Sequence, residues 1–181
     1  MPFTLEPKPD ESFDALLRSI TYQQLNGKAA ATILGRVLDQ FPDRRPTPKL
    51  LLATPDAPMR GAGLSANKLL AMRDLAQKCL DGVVPPRAAA AQLGDEELIE
   101  RLTQVRGIGR WTVQMFLIFY LGRPDVMPSD DFGVRKGFGL LYRKNGRLPP
   151  PGVVLKHSKA WAPFRSAASW YLWRSLDIET V

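Results

Sequence analysis

Residues 102–120 read L-T-Q-V-R-G-I-G-R-W-T-V-Q-M-F-L-I-F-Y, a glycine-rich turn between two runs of helical character. The glycines of Gly107-Ile108-Gly109 allow the backbone of the turn to approach a surface closely, because no Cβ stands in the way. The next helix starts near Arg110, so its free N–H groups and positive dipole end suit a phosphate. Arg106 and Arg110 add positive charge beside the turn. A helical hairpin without a ligand has the same pattern, since a lone G-x-G is a weak signal.

The rest of the chain shows helical periodicity and almost no strand pattern. Helical segments are predicted to begin near Phe13, Ala30, Pro48, Pro55, Ser65, Asp95, Ser129 and Pro163. Thr47-Pro48 and Thr54-Pro55 are each predicted to be a cap followed by a proline at the first helical position. The helix from Asp95 is expected to end at Gly107, and Leu148–Gly152 is expected to be a linker or turn. The sequence therefore predicts an all-α fold.

The composition excludes several classes of protein. Hydrophobic residues make up 45% of the 181 residues and charged residues 24%, a balance typical of a chain that folds around a core. No apolar run reaches the length of a membrane span, and the first residues lack the features of a secretory signal. One cysteine, Cys79, and one histidine, His157, cannot build a structural zinc site or an iron–sulfur cluster. A reducing, cytoplasmic location is expected.

The positive charge is concentrated in one stretch. Residues 1–100 carry 12 Lys/Arg and 13 Asp/Glu, whereas residues 101–174 carry 13 Lys/Arg and only 3 Asp/Glu. The second stretch therefore holds the whole basic excess of a chain whose net charge is +7. This concentration indicates a face that binds a polyanion. A solvated basic surface that maintains solubility explains the charge alone equally well.

Four motifs, in order along the chain, resemble the helix–hairpin–helix DNA glycosylase superfamily. The motifs are I-T-Y-Q-Q-L-N-G-K-A-A at 20–30, G-L-S-A-N-K at 63–68, G-I-G-R-W-T followed by P-S-D-D at 107–131, and W-A-P-F-R-S-A-A at 161–168. Within the superfamily, G-I-G-R-W-T and P-x-D-D are similar to the 3-methyladenine DNA glycosylase II (AlkA-type) branch. The resemblance covers roughly residues 10–176. It implies two helical lobes around a DNA cleft. Because the chain is too short to hold the N-terminal β domain of longer members as well, that domain is expected to be absent.

Asp130 and Asp131 are two adjacent carboxylates in the most basic part of the chain. From the residues alone, one of them is expected to cap a helix. The resemblance implies that Asp131 is the catalytic carboxylate, with Asp130 as its neighbour at the start of the helix. Cleavage of an N-glycosidic bond builds positive charge on the sugar, and a nearby carboxylate stabilises that charge and orients water.

The resemblance also implies a pocket for a base flipped out of the duplex. Trp111 and Phe164 occupy pocket positions, and Tyr22 is a further candidate for an aromatic wall. Met115 falls where the best-known member has a tyrosine. Trp111 stands where bifunctional members carry a lysine that forms a Schiff base, which predicts a monofunctional, water-using enzyme. Without the resemblance, Trp111 would be assigned to the core. The tryptophans at 161, 170 and 173 are expected to serve in packing.

The implied DNA contacts come from two turns. Gln24, with Leu25 as the alternative, is expected to enter the gap that the flipped base leaves; helix capping or simple exposure explains these residues as well. At the hairpin, the implied DNA contacts are Arg106, Gly107, Ile108, Gly109, Arg110 and Thr112. Backbone carbonyls of Thr103, Val105 and Ile108 are implied to hold a monovalent cation that bridges to a phosphate. No other cofactor is expected.

The sequence therefore predicts a monomeric, monofunctional DNA glycosylase that excises alkylated purines such as 3-methyladenine and 7-methylguanine from double-stranded DNA. One lobe is expected to comprise about residues 1–46 and 123–181, and the other about 47–122. Two alternatives stay open at this point. One is a non-catalytic module that only grips phosphates, which would not need Asp131. The other is a glycosylase for hypoxanthine, ethenoadenine or uracil.

Overall fold

A computed structural model describes residues 5–143 and 147–177, and all regular secondary structure in these residues is helical. The prediction of an all-α fold is confirmed. The α-helices are α1 Ser12–Tyr22, α2 Gly27–Leu38, α3 Pro48–Ala53, α4 Asp56–Gly61, α5 Ala66–Leu80, α6 Arg87–Ala90, α7 Asp95–Leu102, α8 Arg110–Phe119, α9 Phe132–Tyr142, α10 Pro151–Ser158 and α11 Arg165–Arg174. Short 3₁₀ turns occupy Pro42–Arg44 and Lys159–Trp161.

The chain divides into two compact units, one of which spans residues 9–113. In this unit α5 packs against α1, α3 and α4, and α1 also packs against α2. Its core includes Leu16, Ile20, Leu51, Met72 and Leu75 from these helices and Leu98 from α7, all fully buried.

The other unit comprises residues 1–8 and 114–181, and its core is formed by α9, α10 and α11. Its buried cluster contains Met127, Val134, Phe138, Val154 and Leu172, with Trp161 and Trp173 packed against it. Helices α9 and α11 approach so closely that a Cβ built on Gly137 would lie 2.1 Å from the carbonyl oxygen of Leu172. Only glycine fits at this position, because the obstacle is backbone and cannot rotate away.

Of the two predicted threonine caps, Thr47 is confirmed and Thr54 is wrong. The side chains of Thr47 and Ser65 accept hydrogen bonds from the N–H groups of Leu50 and Lys68, at 3.2 and 3.3 Å, and start α3 and α5. Thr54 does not cap α4, because its hydroxyl donates to the carbonyl of Leu50 at 2.8 Å and closes α3 instead. Helix α4 consequently begins one residue after Pro55.

Other boundaries also differ from the sequence prediction by a few residues, including the start of α2 at Gly27. Helix α7 ends at Leu102 rather than Gly107, because the N–H of Val105 turns back to the carbonyl of Leu102 at 3.1 Å. Helix α10 begins at Pro151, inside the stretch expected to be a linker, since proline is compatible with a first helical turn. Helix α9 begins at Phe132, later than expected, and the short helix α6 was not predicted.

The lobe division expected from the family resemblance, with a DNA cleft between the lobes, stays a prediction. Within the described residues, every helix is too short or too polar to cross a membrane.

The approach of α9 to α11 predicts the effect of a methyl group at residue 137. Gly137→Ala forces the two helix backbones apart and is expected to lower the free energy of unfolding by about 1–3 kcal/mol. Gly152→Ala is the matched control, because a Cβ at this helical glycine meets nothing within 4 Å. The control is expected to be neutral or to raise the free energy of unfolding by about 0.5–1 kcal/mol. Urea denaturation measures both, and equal effects would contradict the close approach.

Candidate active site

The Asp131 carboxylate is fixed by two N–H donors. Asp131 is the N-cap of α9, and its Oδ1 accepts hydrogen bonds from the backbone N–H of Val134 and from the indole Nε1–H of Trp173, each at 2.7 Å. The residue is half-buried, whereas Asp130 is exposed. Of the two adjacent carboxylates, the one implied to be catalytic is therefore also the one that caps the helix. Its orientation is set by both backbone and side-chain contacts.

The indole of Trp173 reaches Asp131 because α9 and α11 are so close. A Cβ on Gly133 would lie 2.7 Å from Cδ1 of Trp173 and 3.2 Å from Oδ1 of Asp131, so a larger residue would push the ring away. Trp173 also packs against Phe119, with ring centroids 5.9 Å apart. The sequence indicated only packing for Trp173. Its hydrogen bond joins residues 42 positions apart, so no local sequence pattern predicts it.

The segment before Asp131 is clamped by the W-A-P-F-R-S-A-A motif. Arg165 donates from Nε and Nη2 to the two carboxylate oxygens of Asp125, at 2.6 and 2.8 Å. This bidentate bond is the strong form of an arginine–carboxylate pair. The Arg165 hydrogen bonds lower the pKa of Asp125 below its usual range, although partial burial opposes the shift. The pair therefore holds the loop that leads to Asp131.

A buried serine completes this clamp. The Oγ of Ser166 accepts from the N–H of Val126 at 3.0 Å and donates to the carbonyl of Arg123 at 2.6 Å. Its backbone N–H donates to the carbonyl of Pro124 at 3.0 Å. Ser166 is fully buried, and its hydroxyl therefore serves the loop rather than a ligand. The R-S dipeptide of the motif thus has a structural explanation.

The hairpin lies in the unit of residues 9–113. Gly107 has a φ of +77°, which favours glycine, and the side chains of Val105 and Ile108 are buried beneath the turn. A Cβ on Gly109 would meet nothing within 4 Å, so the protein itself does not require glycine there. The backbone at Gly109 is exposed, as an approach to a phosphate would need. That DNA contact stays a prediction.

The side chains around the turn differ in their accessibility. Arg106 and Arg110 are exposed, and Arg110 forms an ion pair with Glu96 at 2.5 Å. The N–H of Arg106 donates to Asp74 at 2.7 Å, which ties the turn to α5. Thr112 is only 7% exposed, so its side chain serves packing and its backbone lies in the first turn of α8. Their roles in DNA binding stay predictions.

The turn between α1 and α2 carries the two candidates for insertion into DNA. Gln24 and Leu25 are both exposed, and Gln24 has a φ of +57°, a left-handed conformation that is uncommon for a residue with a side chain. Nearby, the guanidinium of Arg18 lies 4.4 Å from the ring centroid of Tyr22. One face of Tyr22 is therefore covered, and a base could stack only on the other.

The other pocket candidates are accessible aromatic rings. Trp111 is 48% exposed and Phe164 is 65% exposed, values that core residues of this size do not have. Met115 is half-buried, four residues after Trp111 on α8. Phe164, Met115 and Asp131 belong to the unit with residues 114–181, whereas Trp111 and Tyr22 belong to the other. Their assembly into one base pocket stays a prediction.

The predicted monovalent cation would be bound by backbone oxygens only. The carbonyl of Val105 accepts the N–H of Ile108 at 3.0 Å, and a carbonyl oxygen has a second lone pair for a cation. The site at Thr103, Val105 and Ile108 stays a prediction. Within residues 5–143 and 147–177, His, Cys, Asp and Glu side chains form no cluster of three that could hold a metal. Burial raises the pKa of the Cys79 thiol to about 12, so it is not a nucleophile at neutral pH.

Comparison with known proteins identifies relatives over most of the chain. Residues 17–163 match the sequence model of a protein family, which is described as HhH-GPD superfamily base excision DNA repair protein. DNA-3-methyladenine glycosylase 1 of Schizosaccharomyces pombe is 44% identical over 170 residues, which cover 91% of this chain and 72% of the relative.

Two solved structures have the same fold. The Schizosaccharomyces pombe 3-methyladenine DNA glycosylase in complex with abasic DNA is 41% identical, with a TM-score of 0.84 over 98% of this chain and 86% of that one. A DNA-3-methyladenine glycosidase from Bacillus halodurans is 35% identical, with a TM-score of 0.87 over 96% of this chain and 78% of that one.

The Asp125–Arg165 pair predicts a pH-dependent contribution to stability. Because the folded-state pKa of Asp125 is lowered, the contribution is present above the unfolded pKa of about 3.9 and is lost as the pH falls through the folded value. Asp125→Asn is expected to lower the free energy of unfolding by about 1 kcal/mol at pH 7, and the difference is expected to shrink below about pH 4.

Thermal or urea unfolding between pH 2 and 7 measures this difference. Asp177→Asn, which removes an exposed carboxylate paired with Arg174, is the control and is expected to change stability less. A difference for Asp125→Asn that stays constant over the whole pH range would show that the pair is not the cause.

Proposed function

The chain belongs to the HhH-GPD superfamily of base excision DNA repair proteins, and we propose that it is a DNA glycosylase that excises alkylated purines from double-stranded DNA by hydrolysis. The observation that carries the proposal is the half-buried Asp131 carboxylate, held on one oxygen by the N–H of Val134 and the indole of Trp173. A protein that only grips phosphates could use Asp131 as the cap of α9, but it would not need the indole of Trp173 to orient the carboxylate as well, since this negative charge opposes DNA binding.

The proposed reaction breaks the bond between C1′ of the deoxyribose and the base nitrogen. The bonding electron pair leaves with the base, and positive charge develops on the sugar. Asp131 stabilises this charge, and the pre-set orientation of its carboxylate avoids the cost of reorganisation during the reaction. Water then adds to C1′ and loses its proton. The two donors on Oδ1 keep the carboxylate directed while the base departs.

The enzyme is proposed to be monofunctional because Trp111 stands where bifunctional superfamily members carry a lysine. An indole nitrogen cannot form a Schiff base with the sugar, so the attacking group is water. The reaction then ends at an intact abasic site. A location with access to DNA, the cytoplasm and nucleoid in a bacterium, follows from this substrate.

The preferred base is proposed to carry a formal positive charge. Such a base becomes neutral on leaving, so no general acid is needed to release it. The exposed rings of Trp111 and Phe164 offer π-faces on which a cation gains about 0.5–2 kcal/mol over a neutral base. This gain corresponds to a factor of about 2 to 30 in binding, and most of the selectivity therefore comes from leaving-group chemistry.

Asp131→Asn tests the role of the carboxylate. An asparagine side chain can still accept hydrogen bonds from Val134 and Trp173, so the fold is expected to persist. The loss of charge is expected to slow single-turnover release of 3-methyladenine at least about 100-fold, while affinity for DNA stays equal or increases. Chromatography of the bases released from methylated DNA measures the rate.

Asp130→Asn is the matched control, because it removes an adjacent but exposed carboxylate. Its rate is expected to stay within about threefold of the unmodified enzyme. Normal activity of Asp131→Asn, or an equal loss in both variants, would contradict the assignment of the reaction to Asp131.

The charge preference is tested by comparing bases under single-turnover conditions. Release of 3-methyladenine and 7-methylguanine is expected to be at least about tenfold faster than release of hypoxanthine or uracil, which are neutral. Trp111→Ala is expected to slow 3-methyladenine release only modestly, within about thirtyfold. Faster release of the neutral bases would move the enzyme to another substrate class.

A further inference from the structure

The G-L-S-A-N-K motif builds a fixed platform for one lysine. Gly63 has a φ of +103°, and a Cβ there would lie 3.2 Å from a side-chain carbon of Ile33, so both backbone and space favour glycine. Leu64 is buried, and the Ser65 hydroxyl accepts the N–H of Lys68 at 3.3 Å as the cap of α5. The backbone of Lys68 is therefore held at the first turn of α5.

The Lys68 ammonium group caps the end of a different helix. Its Nζ donates to the carbonyl oxygens of Thr21 and Gln23, both at 2.7 Å. These carbonyls lie at the C-terminus of α1, where backbone acceptors lack partners within the helix and the dipole favours a cation. Lys68 is half-buried, and burial lowers its pKa, so this ammonium group is not simply solvated.

A second contact holds the same turn from the side of the hairpin. The amide Nε2 of Gln23 donates to the carbonyl of Gly107 at 2.8 Å, across 84 residues of sequence. The turn from residue 23 to residue 26 is thus tied to α5 by Lys68 and to the hairpin by Gln23. On its far side, the Asn26 side chain accepts the N–H of Ala29 at 2.9 Å and starts α2.

The residue that follows these ties has an unfavourable backbone conformation. Gln24 is exposed at a φ of +57°, which persists in a residue with a side chain only when the surroundings impose it. Lys68 and Gln23 fix the backbone of the residues that directly precede it. They leave the Gln24 and Leu25 side chains projecting into solvent from a backbone that is already ordered.

We propose that Lys68 and Gln23 are positioning residues that hold the Gln24–Leu25 turn in the conformation that enters DNA when a base is flipped out. The inference rests on the proposed function. A turn ordered before binding loses less conformational entropy on insertion than a free one. The Lys68 ammonium group makes no contact with the substrate, but its removal is therefore expected to weaken insertion of the turn. The loss is expected to be largest when the flipped base has to be extracted from an intact base pair.

Lys68→Met tests the proposal, because methionine keeps the length of the stem and removes the donors. The substrates are one duplex with 7-methylguanine paired to cytosine and a second with 7-methylguanine opposite an abasic site, where less pairing has to be broken. Single-turnover release is expected to fall about tenfold on the paired duplex and less than threefold on the other. Gln23→Met is expected to show the same pattern with a smaller loss.

Two further variants separate positioning from charge and folding. Lys68→Arg retains donors for both carbonyls and is expected to restore at least a third of the rate on the paired duplex. Lys49→Met removes an equal charge from an exposed site on α3 and is expected to leave both rates within twofold. An equal loss of Lys68→Met on both duplexes, or no loss on either, would overturn the proposal.

A binding measurement keeps this test independent of the proposed reaction. If the unmodified protein releases no base, the proposed function fails, and fluorescence of 2-aminopurine beside an abasic-site analogue still reports insertion of the turn. The unmodified protein is expected to change this fluorescence, and Lys68→Met is expected to reduce the change at saturating protein. If Lys68→Met changes the fluorescence as much as the unmodified protein does, the positioning role is overturned.

Discussion

Helices α9 and α11 meet at Gly137 with no room for a Cβ, and the geometry around Asp131 depends on this contact. The approach brings the indole of Trp173 within hydrogen-bonding distance of a carboxylate that already caps α9. Two functions therefore fall on one oxygen atom, the start of a helix and the orientation of the group proposed to stabilise the reacting sugar. A shift of either helix would change both the cap of α9 and the orientation of the carboxylate, since helix packing leaves little free volume.

The motifs that reveal the family are largely devices for holding other segments. Arg165 and Ser166 hold the loop before Asp131, through the Asp125 carboxylate and the backbone of residues 123–126. Lys68 holds the end of α1, which precedes the turn with Gln24. Asp131 and the turn with Gln24 are thus each supported by a polar residue that is distant in sequence, which is how rigid sites are built.

The helical elements were predictable to the extent that their signals are local. Caps such as Thr47 and Ser65 act within one helical turn. The apolar periodicity of α1 and α5 likewise indicates which face of each helix is buried. The errors arose where two local signals compete. Thr54 is equally suited to cap α4 and to close α3, and the structure uses it to close α3. Pro151 suits both a turn and a first helical position.

The sequence by itself determined the fold class, the family and the basic stretch, because these depend on periodicity, composition and ordered motifs, and its family resemblance pointed to Asp131. Only the tertiary structure decided that Trp173 orients Asp131 and that Gln23 and Lys68 hold the α1–α2 turn. Those bonds join residues 42 to 84 positions apart. Hydrogen bonds act over about 3 Å in space, and separation along the chain carries no information about that distance until the helices pack.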